Sequence, residues 1–506
     1  MKSIVRPGEN AWNEAPVVAA GLLVDGHDYY RAFYDAALKA KRSILLSGWQ
    51  FDSEARLLCG PDGESCESPT TLLKFLNWLC ERTPELNIRV LAWDFNLVFS
   101  LEREWMQQIV FEWTTNERLH YRFDSSHVDR GSHHQKFAVI DGHLSFAGGL
   151  DLCDQRWDDR RHLDDNPLRV SRGAPHKPFH DVQVYVVSPE VGRQLTELFV
   201  CRWKRACDED IEVQPGPEGT FDESYRPDGA VPIAATRTSM CRTDPHGSPT
   251  GDDPVREVLD QYLDAIAAAR ELIYIETQYF SSREIAEGLV RRVRDPDAPP
   301  LQLVLVLNMR AETLKEDVAV GLAQAKNIRD LRAAVEGTKH QLGIYYSVPQ
   351  KDGGEPERAT YIHSKVMVID DRYLNVGSAN LTNRSGSVDT ELNLSFETLT
   401  PKDSLAKSIC SARLNLLAEH LGVEGLDCDP SRLVQTLDER ARSRQGRLRL
   451  HPSPTENELK WLGRIDPQKL PFDPDSIEDD DDDRSIFMHG LGKLWRRLVS
   501  DRDDRK

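Results

Sequence analysis

Two stretches of this 506-residue chain carry the residue types of phosphoryl chemistry at one spacing. In the first, His134-Gln135-Lys136 runs into the apolar Phe137-Ala138-Val139-Ile140, then Asp141, and later Gly148-Gly149-Leu150-Asp151. In the second, His363-Ser364-Lys365 runs into Val366-Met367-Val368-Ile369, then Asp370, and later Gly377-Ser378-Ala379-Asn380. A His-x-Lys-x(4)-Asp match arises by chance roughly 0.05 times in a chain of this composition, so two in phase outweigh coincidence. His and Lys two apart on a strand project to the same side. If two halves pack about a pseudo-two-fold axis, both imidazoles and both ammonium groups surround one pocket. There, cations would hold the oxygens of a phosphoryl group while one imidazole attacks and the other moves protons. Asp141 and Asp370 stand an odd number of residues from the lysines, so on a regular strand they face away and brace the strand ends.

The elements that must position these residues also repeat. A helical pattern over Tyr29 to Ala40 leads into a buried strand within Arg42 to Phe51. The same succession returns as Val255 to Ala269 and Arg270 to Tyr279, a shift of 228, against 229 between the two histidines. Helix Leu73 to Glu81 and strand Ile88 to Trp93 answer to helix Ser282 to Val293 and strand Leu301 to Leu307. Such alternation predicts an α/β fold of two similar halves, each with a mixed, mostly parallel sheet flanked by helices, sharing one site. The boundaries expected are 1–213 for the first half, 214–254 for a Pro/Gly-rich linker, 255–428 for the second half and 429–506 for a tail. The tail holds an acidic run, Glu478 to Asp483, and a helical stripe of Ile486, Phe487, Leu491, Leu494, Trp495 and Leu498. That stripe is read as a helix docking on the protein's own core, with a membrane surface as the alternative.

Composition narrows the function. The formal charge of −19 disfavours non-specific nucleic-acid binding, which depends on Lys and Arg contacts to phosphate. A bilayer span needs about 20 apolar residues, and the run Pro16 to Val24 ends at Asp25. With no secretory signal in the first residues, a cytoplasmic protein is expected, at most peripheral at a membrane. Nine scattered cysteines form no CxxC pair and are expected to be mostly buried, reduced thiols. No metal-ligand spacing appears, so the chemistry is expected to need no metal and no cofactor.

The doubled motif resembles the phospholipase D superfamily, over about Val24 to Gly422. The continuation Gly148-Gly149-Leu150-Asp151-Leu152-Cys153-Asp154-Gln155-Arg156-Trp157-Asp158 is similar to the subgroup containing the eukaryotic-type enzymes. The resemblance implies a catalytic set of His134, Lys136, Asp141, His363, Lys365 and Asp370, in which the two aspartates keep the bracing role given above. It further implies that His134 attacks phosphorus, His363 serves the leaving alcohol and then water, and Lys136, Lys365, Asn380 and Ser378 bind phosphate oxygens. Asp181 and Glu391 fit the family's acids that hold the histidines, and an imidazole attacking through one nitrogen independently needs the other fixed by an acceptor. Asp151, where the second half has Asn380, is left without a role.

The reaction this implies is hydrolysis of a phosphatidylcholine-like phospholipid to phosphatidic acid and a free alcohol through a phosphohistidine. Transfer of the phosphatidyl group to an alcohol, as in a cardiolipin synthase, comes second, a nuclease third, and a non-catalytic binding module last. With no room for an N-terminal calcium-binding β-sandwich, calcium dependence is not expected. The phospholipid is the expected partner, met by transient contact with a membrane surface through loops around Trp157 or a helical insertion over Thr313 to His340. The sequence leaves headgroup and oligomeric state open.

Overall fold

Runs rich in Val, Ile and Leu build two large sheets in a computed structural model that describes residues 2–94, 115–128, 131–247, 253–310, 320–351, 358–454 and 473. The first sheet runs, edge to edge, through Val231–Pro232, Ala19–Val24, Val182–Val187, Leu144–Gly148, Phe137–Ile140, Ser43–Gly48, Asn87–Trp93 and Leu119–Asp124. The second runs through Asn13–Pro16, Arg237–Asp244, Glu391–Glu397, Tyr373–Gly377, Val366–Ile369, Leu272–Thr277, Gln302–Leu307, Gln341–Ser347 and Leu448–Leu450. The central seven strands follow one order in both. Register is copied too: Ile44 lies opposite Ile140 as Ile273 lies opposite Ile369, so strand and motif share the same offset of 229.

Alternate residues of each strand enter different cores, as the strand period requires. Leu45 and Val139 pack with Tyr274 and Val368 in a core that draws on both sheets. Ile44 and Leu46 point outward to helices Asp25–Ala37 and Leu72–Arg82. Ile273 and Ile275 point outward to helices Glu257–Ala268 and Arg283–Arg294.

The sheets are mixed, but the expected predominance of parallel pairing is corrected. Among the described residues of the two large sheets, parallel neighbours occur only along Ser43–Gly48, Asn87–Trp93, Leu119–Asp124 and their counterparts Leu272–Thr277, Gln302–Leu307, Gln341–Ser347. Every other pair in the two large sheets is antiparallel. The motif strands turn straight back through three residues, with positive φ at Asp141 (52°) and Gly142 (70°), and at Asp370 (52°) and Asp371 (50°). Asp-Gly between two apolar runs is a hairpin signal, and it outranks the βαβ pattern here.

The expected boundaries also shift. Asn13–Pro16, near the start of the chain, pairs with Arg237–Met240 and so joins the second sheet. The stretch read as linker contributes one short strand, Val231–Pro232, to the first sheet and a long one, Arg237–Asp244, to the second. Past residue 428, helix Leu433–Ser443 and strand Leu448–Leu450 pack onto the second half. Proline and glycine density marked the crossing between halves, but strand exchange at sheet edges left no periodic signal. Four thiols are buried (Cys59, Cys80, Cys153, Cys241) and five are half-buried, fewer buried than expected.

Candidate active site

The two histidines stand just before their motif strands, where the halves are stitched together by backbone. Phe179–His180 of the first half pairs in parallel with Tyr361–Ile362 of the second, and the His363 N–H donates to the His180 carbonyl at 2.8 Å. On the other side, His133 bridges to Thr390 and the His134 N–H donates to the Thr390 carbonyl at 3.0 Å. The residue after each stitch is an acid, so the acids cross over. Glu391 receives His134 Nδ1 at 3.0 and 3.1 Å, and Asp181 receives His363 Nδ1 at 2.5 Å. A carboxylate at Nδ1 fixes the Nδ1–H tautomer and leaves the Nε2 lone pair for chemistry. Each half thus supplies the orienting acid for the other's imidazole.

The lysines lie beside the rings. Lys136 Nζ donates to the His134 carbonyl at 3.2 Å and stands 3.5 Å from Asp151 Oδ2. Lys365 Nζ donates to the His363 carbonyl and to Gln278 Oε1 at 3.1 Å, an oxygen shared with Asn380 Nδ2 at 3.4 Å. Both ammonium groups are buried, whereas the His134 and His363 side chains keep 16% and 11% of their surface open. The rings are therefore the parts a reactant reaches.

Charges from the two motifs act on one another, as a shared site requires. Burial lowers the Lys365 ammonium to about 7, with Lys136 adding to the fall and Asp181 and Glu391 opposing it. Burial also holds the His363 imidazole well below its usual value, helped by the positive charge of Lys365, Arg156, Lys136 and His134. Asp181 is pushed up to about 7 by burial, against the pull of Lys365. His363 and Asp181 are best described as sharing one proton, held on Nδ1 and donated to the carboxylate. An arriving phosphodiester anion would stabilise the protonated forms of His363 and Lys365.

One residue, Ser378, takes a place other than the one expected from the resemblance. The Ser378 hydroxyl donates to Glu391 Oε2 at 2.5 Å, so it braces an acid and is not presented to a phosphate. Asp141 accepts from the N–H groups of Lys41, Arg42 and Ser43, and Asp370 from those of Arg270, Glu271 and Leu272. Both aspartates lock a strand start, the bracing role that strand geometry implies. The counterpart of Ser378 is Gly149, where a Cβ would sit 2.2 Å from Asp181 Oδ1, so the missing side chain leaves room for that acid. Two partners escaped the sequence reading. Asp151 accepts from the Trp49 N–H at 2.9 Å as well as flanking Lys136, and Gln278 bridges Lys365 and Asn380. Both partner positions follow a motif-paired strand, a signal legible only once the register is known.

The expected lipid-facing segments fare differently. Trp157 is itself buried, against the Gly26 backbone and the His27 ring. Within Thr313 to His340, helix Leu322–Val335 is a crossover between strands Gln302–Leu307 and Gln341–Ser347, and residues 313–319 lie outside the described residues. The acidic run and the terminal stripe also lie outside them. Among the described residues no helix is long and apolar enough to cross a membrane.

A family model described as "Cardiolipin synthase, PLD-like domain" matches residues 262–408. Phospholipase D alpha 1 of Cynara cardunculus is 24% identical across 80% of this chain and 65% of its own length. Phospholipase D alpha 2 of Oryza sativa subsp. japonica is 26% identical across 80% and 66%. The chain spans about 65% of the length of the curated relatives it matches. Among solved structures, phosphatidylserine synthase of Haemophilus influenzae Rd KW20 shares the fold with a TM-score of 0.51 at 15% identity, over 85% of this chain and 95% of that one. Two His-x-Lys-x(4)-Asp motifs on duplicated sheets, together with these relatives, make the chain a member of the phospholipase D superfamily.

Proposed function

We propose that this superfamily phosphodiesterase hydrolyses phosphatidylcholine-like phospholipids to phosphatidic acid and the free headgroup alcohol. The observation that carries the reading is the crossed pairing of His134 with Glu391 and of His363 with Asp181. His134 Nε2 attacks phosphorus as the P–O bond to the alcohol breaks, and protonated His363 gives its Nε2 proton to the departing oxygen. Neutral His363 then takes a proton from water, whose oxygen displaces His134 and releases phosphatidic acid. Lys136, Lys365 and Asn380 hold the non-bridging oxygens through both steps. Substrate reaches the site by transient contact with a membrane surface. The identity of the relatives favours lipid, and the charge of −19 disfavours nucleic acid.

Transfer of the phosphatidyl group to an alcohol is the second reading, favoured by the description of the matching family model. It uses the same phosphohistidine and differs only in what attacks it. Phosphatidylcholine vesicles incubated with protein, with and without glycerol or ethanol, and single-stranded DNA in parallel, separate the readings. Choline release with phosphatidic acid as the main product is expected. A phosphatidyl-alcohol as nearly the sole product at low alcohol would establish the transferase, and DNA cleavage without choline release would overturn the lipid reading.

A further inference from the structure

Behind the site lies a second group of histidines and carboxylates that the proposed reaction does not use. His162, His180, Asp25 and Glu419 come from four separate stretches and are all buried. His162 Nε2 and His180 Nδ1 point at the same carboxylates, with one atom from each residue lying within 4.8 Å of all the others. The separations are short: His162 Nε2 lies 3.3 Å from Asp25 Oδ2 and 3.1 Å from Glu419 Oε1. His180 Nδ1 lies 3.2 Å from Asp25 Oδ1 and 2.7 Å from Glu419 Oε1. Ligands about 2.0–2.2 Å from a tetrahedral zinc ion stand about 3.3–3.6 Å apart. Each of the two histidine nitrogens thus stands at about the separation of neighbouring zinc ligands from a carboxylate oxygen of both acids.

Two further observations point to a cation among these atoms. Asp25 Oδ2 is a buried carboxylate oxygen that accepts no hydrogen bond, whereas the outer oxygen of Glu419, Oε2, lies 3.4 Å from Arg160 Nη1. Each histidine also has its outer nitrogen tied to another buried carboxylate: His162 Nδ1 to Asp158 at 2.9 Å, and His180 Nε2 to Glu276 at 3.0 Å. An imidazole that gives one nitrogen to a metal and donates the other N–H to a carboxylate is the usual way protein zinc ligands are held. We propose that Asp25, His162, His180 and Glu419 form a closed, four-coordinate zinc-class site that staples the two halves behind the catalytic histidines. The charge balances without rearrangement: a dication replaces the two inner ring protons, one from each histidine, which leave to solvent. His180 immediately precedes Asp181, and the Asp181 N–H donates to Asp25 Oδ1 at 3.2 Å. The staple therefore anchors the acid that holds His363, and it neither touches substrate nor supplies a step of the reaction.

The test begins with the wild-type full chain, untagged and purified without chelator, then dialysed and analysed for metal by mass spectrometry. Close to one zinc per chain is expected, with a melting temperature that falls on chelation and recovers with one equivalent of Zn2+. Glu419→Gln should lose the ion while keeping its far-ultraviolet dichroism, and Glu276→Gln should weaken binding about 10–100-fold. Cobalt exchanged into the wild-type protein provides a readout that needs no variant: visible tetrahedral bands of nitrogen and oxygen ligation are expected. A wild-type protein that binds no zinc and does not respond to it in melting overturns the proposal. So does undiminished zinc in Glu419→Gln, or a thiolate-to-cobalt charge-transfer band, either of which puts the ion elsewhere. None of these readouts depends on the substrate, so the phospholipid reading and the zinc site stand or fall separately.

Discussion

The His134 and His363 sides occupy equivalent places on duplicated sheets, yet their surroundings differ. Glu391, which holds His134, is braced by the Ser378 hydroxyl, whereas Asp181, which holds His363, has only Gly149 beside it at the matching position. Lys136 keeps a carboxylate neighbour in Asp151, while Lys365 lies among amides, and burial lowers it to about 7. One side has a hydroxyl brace on its acid and a carboxylate beside its lysine; the other has a glycine and an amide in those places. Duplication sets where the groups stand, and a few substitutions divide their labour. The braced side suits a nucleophile, and the other suits a group that gains and loses a proton within each turnover.

The largest effects should come from the rings. His134→Ala and His363→Ala should each lose at least about 10^3-fold in kcat/KM on a phospholipid. An activated p-nitrophenyl phosphodiester, whose leaving group needs no proton, tells them apart. His363→Ala should release one equivalent of nitrophenol and stall with label on His134, while His134→Ala should be silent. A burst from His134→Ala in place of His363→Ala would exchange the two roles.

The acids come next. Glu391→Gln and Asp181→Asn should each lower kcat by about 10^2–10^4-fold with folding intact, because an amide cannot enforce the same tautomer. Gly149→Ser should imitate Asp181→Asn, since its Cβ would displace the Asp181 carboxylate. An effect of Gly149→Ser resembling Glu391→Gln alone, traced to His134, would mean that the acids are not crossed.

The lysines differ in charge environment, and pH exposes it. A lysine with a pKa of about 7 is charged below that pH and neutral above, so kcat/KM should fall as pH rises through about 7. Asn380→Asp places a carboxylate near Lys365, as Asp151 already flanks Lys136. The falling limb should then move up by about 1–3 units, while KM rises because the new carboxylate repels the phosphodiester. A limb that stays in place would show that Lys365 is not the titrating group.

Much of this site was legible from spacing. The motif strands Phe137–Ile140 and Val366–Ile369 coincide with the apolar runs read from the sequence, and helix Leu72–Arg82 lies within one residue of its expected ends. Period-two and period-3.6 patterns reflect burial, which is local. Acid crossover depends on backbone pairing between Phe179–His180 and Tyr361–Ile362, segments 182 residues apart, and no local pattern encodes it. The same holds for Asp25, His162, His180 and Glu419, whose separations match no metal-binding spacing and which only the packed halves bring together. The Asp141-Gly142 hairpin was readable but was overridden by the helix–strand alternation around it.

The smallest effect on chemistry should come from the motif aspartates, and here the halves differ in stability alone. Asp141 is fully buried and satisfies three N–H groups at the start of strand Ser43–Gly48. Its alanine variant strands those donors where water does not reach, at a cost of about 1–3 kcal/mol. Asp370 makes the matching three bonds from a half-buried position, so water can replace part of what Asp370→Ala removes. Thermal melting should therefore show a larger fall for Asp141→Ala than for Asp370→Ala. The folded fraction of each should turn over substrate at the wild-type rate, because both carboxylates are engaged with backbone N–H groups at a strand start. Loss of turnover in Asp370→Ala at unchanged melting temperature would return these residues to the catalytic set and undo the division between strand brace and active site.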